Sequence, residues 1–553
     1  MPAPPDDSTH DGSAGRRRRR LRDRRVRITV ALVGMVLAAG AVALLAGFGA
    51  KLFTVKPRPP RIAESEDGSC ASDHIQSLET WDLSRLERGP VIAPKKQLWE
   101  RSLGGRDAIQ TALRQRLVGW PSHLLAAESL PRDGDAIARR IAADTWRGLD
   151  ALSDREHGLP LDRVGFGNKT VAVAAAAIGD YTSATDIGLH LADIVAALDL
   201  ELITVDAARE RITRTLTTLE QLETDDGLFF NYYDTTSLER TSQFVSSVDT
   251  GWLTAGLMIV RMAFPELAER CTTLIDRMSY KRFYDAAFDL LSHGYFVEPR
   301  APSRYHYGVL YTEARLAALI AIGKGDAPES MWFEMVRTFP EDCRWQTMSP
   351  VGVREKTVLG HTFTAGYYDW LGTRYVPSWG GSMFEALMPT IVLDEAALAP
   401  DSLGANDRAH AIIQHRYALR ELHQPVWGLS PSATPDTERY GEYGVKLLGA
   451  LGYPAGPITP HASALAVGLR PGAALTNLHR LAERYDVYGE LGFYDAVDPS
   501  SGAVAYKYLA LDQSMIFLAL ANHLTDHAIQ KRFAADPIIE RVAPLLAAEH
   551  FFD

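Results

Sequence analysis

Past residue 130 the polar and apolar positions repeat one pattern: a stretch rich in Ser, Thr, Tyr and Gly, an ionisable residue, then a long apolar run. It occurs in TSATDIGLHLADIVAAL with Asp186, VSSVDTGWLTAGLMIV with Asp249 and LYTEARLAALIAI with Glu313. It returns in GGSMFEALMPTIVL with Glu385, ITPHASALAVGL with His461 and LALDQSMIFLALA with Asp512. Successive ionisable residues stand 63, 64, 72, 76 and 51 positions apart, room each time for an apolar helix, a return helix and two loops. The intervening segments differ: VDAARERITRTLTTLEQLE and NDRAHAIIQHRYALRELH carry charge along one face and an apolar stripe along the other, as solvent-facing helices do. A helix apolar nearly all round is buried on both sides. Six buried helices alternating with amphipathic ones predict an all-α (α/α)6 toroid over residues 101–553, with six inner and six outer helices. Strand-like alternation is scarce.

If the inner helices run in one direction, their N-termini open at one end of the barrel. Asp186, Asp249, Glu313, Glu385, His461 and Asp512 then ring a single funnel. Taken one at a time, an acid in a first helical turn is explained by capping and the helix dipole, at roughly 0.3 to 1 kcal/mol each. The loops entering these helices say more. Tyr232 and Tyr233 precede Asp249, and Tyr305, Tyr307 and Tyr311 precede Glu313. Trp370, Tyr375 and Trp379 precede Glu385, Trp427, Tyr440 and Tyr443 precede His461, and Tyr494 and Tyr506 precede Asp512. A single aromatic ring is usually a core plug. Rings gathered at one rim beside carboxylates make a surface for sugars, whose C–H faces stack on rings while their hydroxyls bond acids and amides. Paired carboxylates add glycosidic chemistry: one protonates the bridging oxygen, the other activates water or attacks the anomeric carbon. Glu313, an acid entering a helix with almost no polar face, is costly to keep unless it is used, and burial would hold it protonated near neutral pH.

Charge and cysteine narrow the setting. Residues 1–27 hold nine Arg against four Asp, a tail of +5 in a chain of −11, so the remainder is near −16. Ile28 to Ala50 is 23 residues without a charge, about 34 Å as a helix and enough to span a bilayer. The Arg cluster before it predicts a cytoplasmic tail (1–27), a single transmembrane helix (28–50) in the cell membrane and an extracytoplasmic remainder. A cleavable signal peptide ending near Phe48-Gly49-Ala50 is the other reading, and it exports the body too. Residues 51–100, with Pro-rich VKPRPPR, read as a linker and N-terminal extension. Three scattered cysteines, Cys70, Cys271 and Cys343, allow at most one disulfide and make no zinc motif. The acidic body lacks a basic stripe, which excludes nucleic acid as the expected partner. No cofactor is expected. A metal enzyme using the carboxylates and His461 as ligands is disfavoured, because these residues are spread over six helices without local ligand spacing.

Residues from about 165 to 535 resemble the glycoamylase-like domain of bacterial endo-β-1,2-glucanases and of the transglycosylating domain of cyclic β-1,2-glucan synthases. The resemblance rests on FNYYDTTSLERTSQFVSSVDTGWL, YTEARLAALIAIGKGD, SWGGSMFEALMP, ITPHASALAV, GFYDAVD and LALDQS, in that order. It implies an (α/α)6 module acting on a polysaccharide, β-1,2-glucan or another envelope glycan, and it places Glu313 on the family's catalytic glutamate. Two departures follow. WGLSPSA sets Pro431 where the synthases carry their second glutamate, and Thr241 and Phe244 stand where the glucanases carry an acidic pair. The insert after Pro431 holds Asp436, Glu438 and Glu442. Glu442 is taken as the second catalytic carboxylate, with Asp436, Asp249 and Glu385 as alternatives. Asp234, Asp249, Tyr307, Trp379, Glu385, Trp427, His461 and Asp495 are the expected substrate-binding residues. The competing reading is a sugar-binding envelope scaffold without turnover, for which Pro431 is the main support.

Overall fold

The computed structural model describes residues 124–553, apart from 133, 168–175, 340–345 and 436–438, together with positions 111 and 115. The basic tail, the 28–50 span, the 51–100 linker, Cys70, Cys343, Asp436 and Glu438 lie outside the described residues. Among the described residues no helix is long and apolar enough to cross a membrane, and Cys271 is a buried free thiol.

Helices carry the architecture: α1 (Gly134–Ala151), α2 (Ala184–Asp199), α3 (Val205–Gln221), α4 (Ser247–Ala263), α5 (Ala268–Arg277) and α6 (Arg315–Lys324). They continue as α7 (Met383–Leu387), α8 (Leu403–Arg420), α9 (Pro460–Leu465), α10 (Pro471–Arg484), α11 (Ala510–Leu524) and α12 (Pro537–Ala547). The apolar ones pack side by side: α2 on α4, α4 on α6, α7 on α9, α9 on α11, and α11 back on α2. The step from α6 to α7 is made by a side chain, Arg315, whose guanidinium donates to the Glu385 and Ala386 carbonyls. Outside this ring α3 lies on α2, α5 on α4, α8 on α7, α10 on α9 and α1 on α11. The outer partner of α6 is the C-terminal α12, so one position is filled from the end of the chain rather than by the next return helix.

Glycines let α2 and α4 approach backbone to backbone. A Cβ on Gly256 of α4 would stand 2.1 Å from the Gly188 oxygen of α2, and one on Gly188 would stand 2.2 Å from the Trp252 oxygen. Only backbones without side chains can approach so closely.

Several expectations need correction. Two inner helices are short: Pro389 ends α7 after one turn and passes it into a 3-10 turn, and α9 has six residues. Helix α8 is less of a surface helix than its charges predict, because Asn406, Asp407, His410 and Gln414 are buried and pin neighbouring segments, Asp407 accepting from the Tyr311 hydroxyl at 2.6 Å. The all-α class is too narrow as well. Short antiparallel strands deliver the chain to the helix starts: Tyr181–Ser183 pairs with Tyr232–Asp234 before α2, Phe244–Ser246 with Gly294–Phe296 before α4, and Lys507–Leu509 with Arg163–Gly165 before α11. A longer sheet joins Val351–Val358, His361–Trp370 and Thr373–Tyr375. Its two turns are Leu359-Gly360 and Leu371-Gly372, all four residues at positive φ, as a two-residue hairpin of the right twist requires.

Candidate active site

Two adjoining cavities of about 790 and 390 Å³ open at the helix starts, and Glu313, Glu385 and Tyr453 line both. The larger is walled by Asp162, Asp186, Asp249, Pro431, Tyr440 and Glu442, among others. Tyr305, His306, Tyr307 and Trp379 line the smaller, where His293 lies between the rings of Tyr305 and Tyr307 at 5.4 and 4.2 Å.

Glu313 does not sit within the first turn of α6 but in the turn before it. The Glu-Ala-Arg triplet divides its labour there. Arg315 is fully buried, holds Glu395 through two bonds of 2.7 and 2.9 Å, and donates to the Thr312, Glu385 and Ala386 carbonyls. That fork fixes the turn on which Glu313 stands, with Glu313 facing the cleft. Burial, followed by the Glu385 charge, pushes the Glu313 carboxyl up to about 7. A carboxylic acid poised at neutrality can give a proton and take it back.

Glu385 lines the cleft but is heavily engaged. It closes a capping box with Ser382, and its oxygens accept from the Ser378 and Ser382 hydroxyls and the Gly380 and Ser382 amides. Burial raises its carboxyl, and these bonds hold it back. Asp249 is freer: Thr185 donates to it from α2 at 2.6 Å, and burial raises it. Asp186 caps α2 with Ser183, and burial together with the Asp162 charge raises it.

The other candidates separate. Tyr307, Trp379 and Glu442 line the cleft, Glu442 exposed on its rim. Trp427 does not line it. It is 1% exposed, its ring stacked on His415 at 5.2 Å. Asp234 is buried and accepts from the Thr236 and Ser237 amides, a turn-forming role. His461, Asp495 and Asp512 are buried together, away from the cleft lining. Asp162 and Tyr453 were not foreseen. Neither begins an apolar helix, and Tyr453 stands in a Gly-Pro-rich loop that offers no periodic signal.

Comparison with known proteins places this geometry. Residues 306–537 match the glycoamylase family described as "Putative glucoamylase", and residues 140–297 match one described as "Protein of unknown function (DUF3131)". The chain is 32% identical over 296 residues to the cyclic beta-(1,2)-glucan synthase NdvB of Rhizobium meliloti, an alignment covering 51% of this chain and 9% of that protein. The fold is similar to an endo-beta-1,2-glucanase from Chitinophaga pinensis, with TM-score 0.58 at 16% identity over 75% of this chain and 99% of that one. It is equally similar to a putative glucoamylase from Bacteroides fragilis, with TM-score 0.59 at 18% identity over 76% and 98%. Residues 306–537 thus match the glycoamylase family model, in a chain with sequence kinship to a cyclic β-(1,2)-glucan synthase and the fold of endo-β-1,2-glucanases.

Proposed function

We propose that the protein is a glycoside hydrolase or transglycosylase acting on a glucan, with β-1,2-glucan as its leading substrate. The carrying observation is Glu313, raised to about 7 by burial at the meeting of two cavities lined with rings and carboxylates. In this reading the ring of helices is an (α/α)6 toroid. Glu313 protonates the glycosidic oxygen, and a second carboxylate on the cleft wall activates water or attacks the anomeric carbon. Glu442 and Asp249 are the two candidates for that role. Glu385, with four donors on its oxygens, is better suited to holding the cleft and a sugar hydroxyl. Tyr307, Trp379 and Tyr453 stack the sugar faces.

The N-terminal sequence supports a membrane-anchored, extracytoplasmic enzyme: an Arg-rich tail over 1–27, an uncharged span over 28–50, a linker over 51–100, and the catalytic body from 101 to 553. Tethering suits work on an envelope or exported polysaccharide. The scaffold reading draws on Pro431, which stands on the wall of the larger cavity and cannot ionise, but Asp249 and Glu442 line the same cavity. The test is product release from β-1,2-, β-1,3- and β-1,4-glucans by the wild type, Glu442→Gln and Asp249→Asn. The proposal expects oligosaccharides from the β-1,2-linked polymer and loss of turnover in one of the two variants; no cleavage of any glucan would sink it.

A further inference from the structure

The toroid buries two carboxylates and an imidazole together with few partners. His461 opens α9, Asp512 lies in the first turn of α11, and Asp495 follows Tyr494 in the loop between α10 and α11. Each is at most 2% exposed, and one ligand atom from each lies within 4.8 Å of the others. In sequence they are 34 and 17 residues apart, so no local motif announces them. Both Asp512 oxygens, Asp495 Oδ1 and His461 Nδ1 take no hydrogen bond from any group outside the cluster, and the Asp495 and Asp512 carboxyls act on one another as hydrogen-bonding neighbours. Two acids and an imidazole that face only one another in a dry cluster are expensive unless a proton or a cation sits among them.

The bonds that do exist point the free atoms at one another. His461 Nε2 lies 3.4 Å from the Thr459 hydroxyl. Where Nε2–H donates along that contact, Nδ1 is a bare lone pair 3.6 Å from Asp512 Oδ2; where the hydroxyl donates instead, Nδ1 carries its proton toward that carboxylate. A lone pair facing a carboxylate at that separation is repulsive without a positive charge shared by both. Asp495 uses its other oxygen to accept the Ala433 amide at 2.6 Å, leaving Oδ1 for the cluster. The Asp512 side chain acts on Asp495 more strongly than the Ala433 N–H does, and the Lys507 ammonium more weakly than either.

We propose that His461 Nδ1, Asp495 and Asp512 hold one divalent cation of the zinc or manganese type. The donor set decides the class: calcium and magnesium take oxygen ligands, whereas an imidazole nitrogen with two carboxylates suits zinc or manganese. The Thr459 contact to Nε2 is the outer bond that commonly fixes a ligating imidazole's tautomer. Two carboxylates and a dication neutralise one another, which removes the burial cost of both acids. The ion would join α9, α11 and the Asp495 loop beneath strand Ser432–Ala433, next to the segment that carries Pro431 and Glu442 to the cleft.

The test uses the untagged full-length protein, stripped with EDTA and titrated separately with Zn²⁺ and Mn²⁺. Bound metal per chain is counted after gel filtration, with the melting midpoint followed in parallel. The expected result is one ion per wild-type chain and a higher midpoint with metal, with Asp512→Asn and His461→Gln each weakening binding by more than about tenfold. Two outcomes overturn the proposal. One is no bound ion in the wild type, or equal counts in wild type and variants. The other is an Asp512→Asn protein that melts at or above the wild type regardless of metal, which is the behaviour of two acids sharing a proton. If Asp512→Asn does not fold, the His461→Gln count and the wild-type count decide.

Discussion

Replacing Glu313 with Gln reads the titration of the proposed acid through stability, without any substrate. Burial is the largest reason its carboxyl stands at about 7 rather than its ordinary 4.5; the Glu385 and Asp249 charges add to the rise, and Arg315 opposes it. A carboxyl raised in the folded state binds its proton more tightly folded than unfolded. Its contribution is therefore complete below about 4.5 and is lost as the pH climbs through 7. From 4.5 to about 7 is two and a half pH units, and at about 1.36 kcal/mol per unit the full loss is about 3 kcal/mol. Gln keeps the shape of the neutral acid and never ionises. Relative to wild type, the variant should gain about 1 kcal/mol at pH 5 and about 3 kcal/mol at pH 8, less whatever the cleft water screens. Urea unfolding followed by Trp fluorescence across that range measures the difference, in which the buried acids other than Glu385 and Asp249 cancel. A gap that does not widen between pH 5 and pH 8 would show that Glu313 ionises like a surface glutamate, and the argument for it as a neutral proton donor would fail.

Arg315→Met removes a fully buried guanidinium and strands Glu395; urea unfolding should show a loss of about 3 to 5 kcal/mol, partly recovered by adding Glu395→Met, and a loss under about 1 kcal/mol would contradict the bridging role. Gly256→Ala puts a methyl 2.1 Å from the Gly188 oxygen and should cost about 2 kcal/mol or more in the same assay, because a backbone atom cannot move aside as a side-chain tip can. Trp379→Ala removes a ring from the smaller cavity; steady-state kinetics should show KM raised about tenfold with kcat nearly kept, the mark of binding shared by ground and transition states, and an unchanged KM would remove Trp379 from the sugar path.

Periodicity made the helices legible because burial on all sides leaves long apolar runs, and it made their N-termini legible because Ser183, Ser246 and Ser382 cap them. From there the readable part of the site followed. Asp186, Asp249, Glu313 and Glu385 all reach the cleft. His461 and Asp512 also stand in first helical turns, although neither helix has a side-chain cap, and they are buried outside the cleft lining. Loop trajectory makes that difference, since Asp495 ties the strand at Ala433 over its own loop, and one-dimensional periodicity carries no information about which loop covers which helix start. The 351–375 sheet escaped for another reason. HTFTA alternates, but VREKTV sets four polar residues between its two valines, and the turns use Leu-Gly rather than Asn-Gly or Asp-Gly, so both the strand and the hairpin signals are weak. Trp427 shares its composition and its place in a loop with Trp379, and only packing against His415 and the Asn477 bond to its amide separates a core ring from a cleft ring.

The central claim is that Glu313 turns a sugar-binding cleft into a catalyst. It is tested most directly by incubating β-1,2-glucan with the full-length protein and with Glu313→Gln, measuring released oligosaccharide and polymer binding side by side. The account predicts product from the wild type alone, with binding retained in the variant. Equal product from both, or binding by both with product from neither, would contradict it.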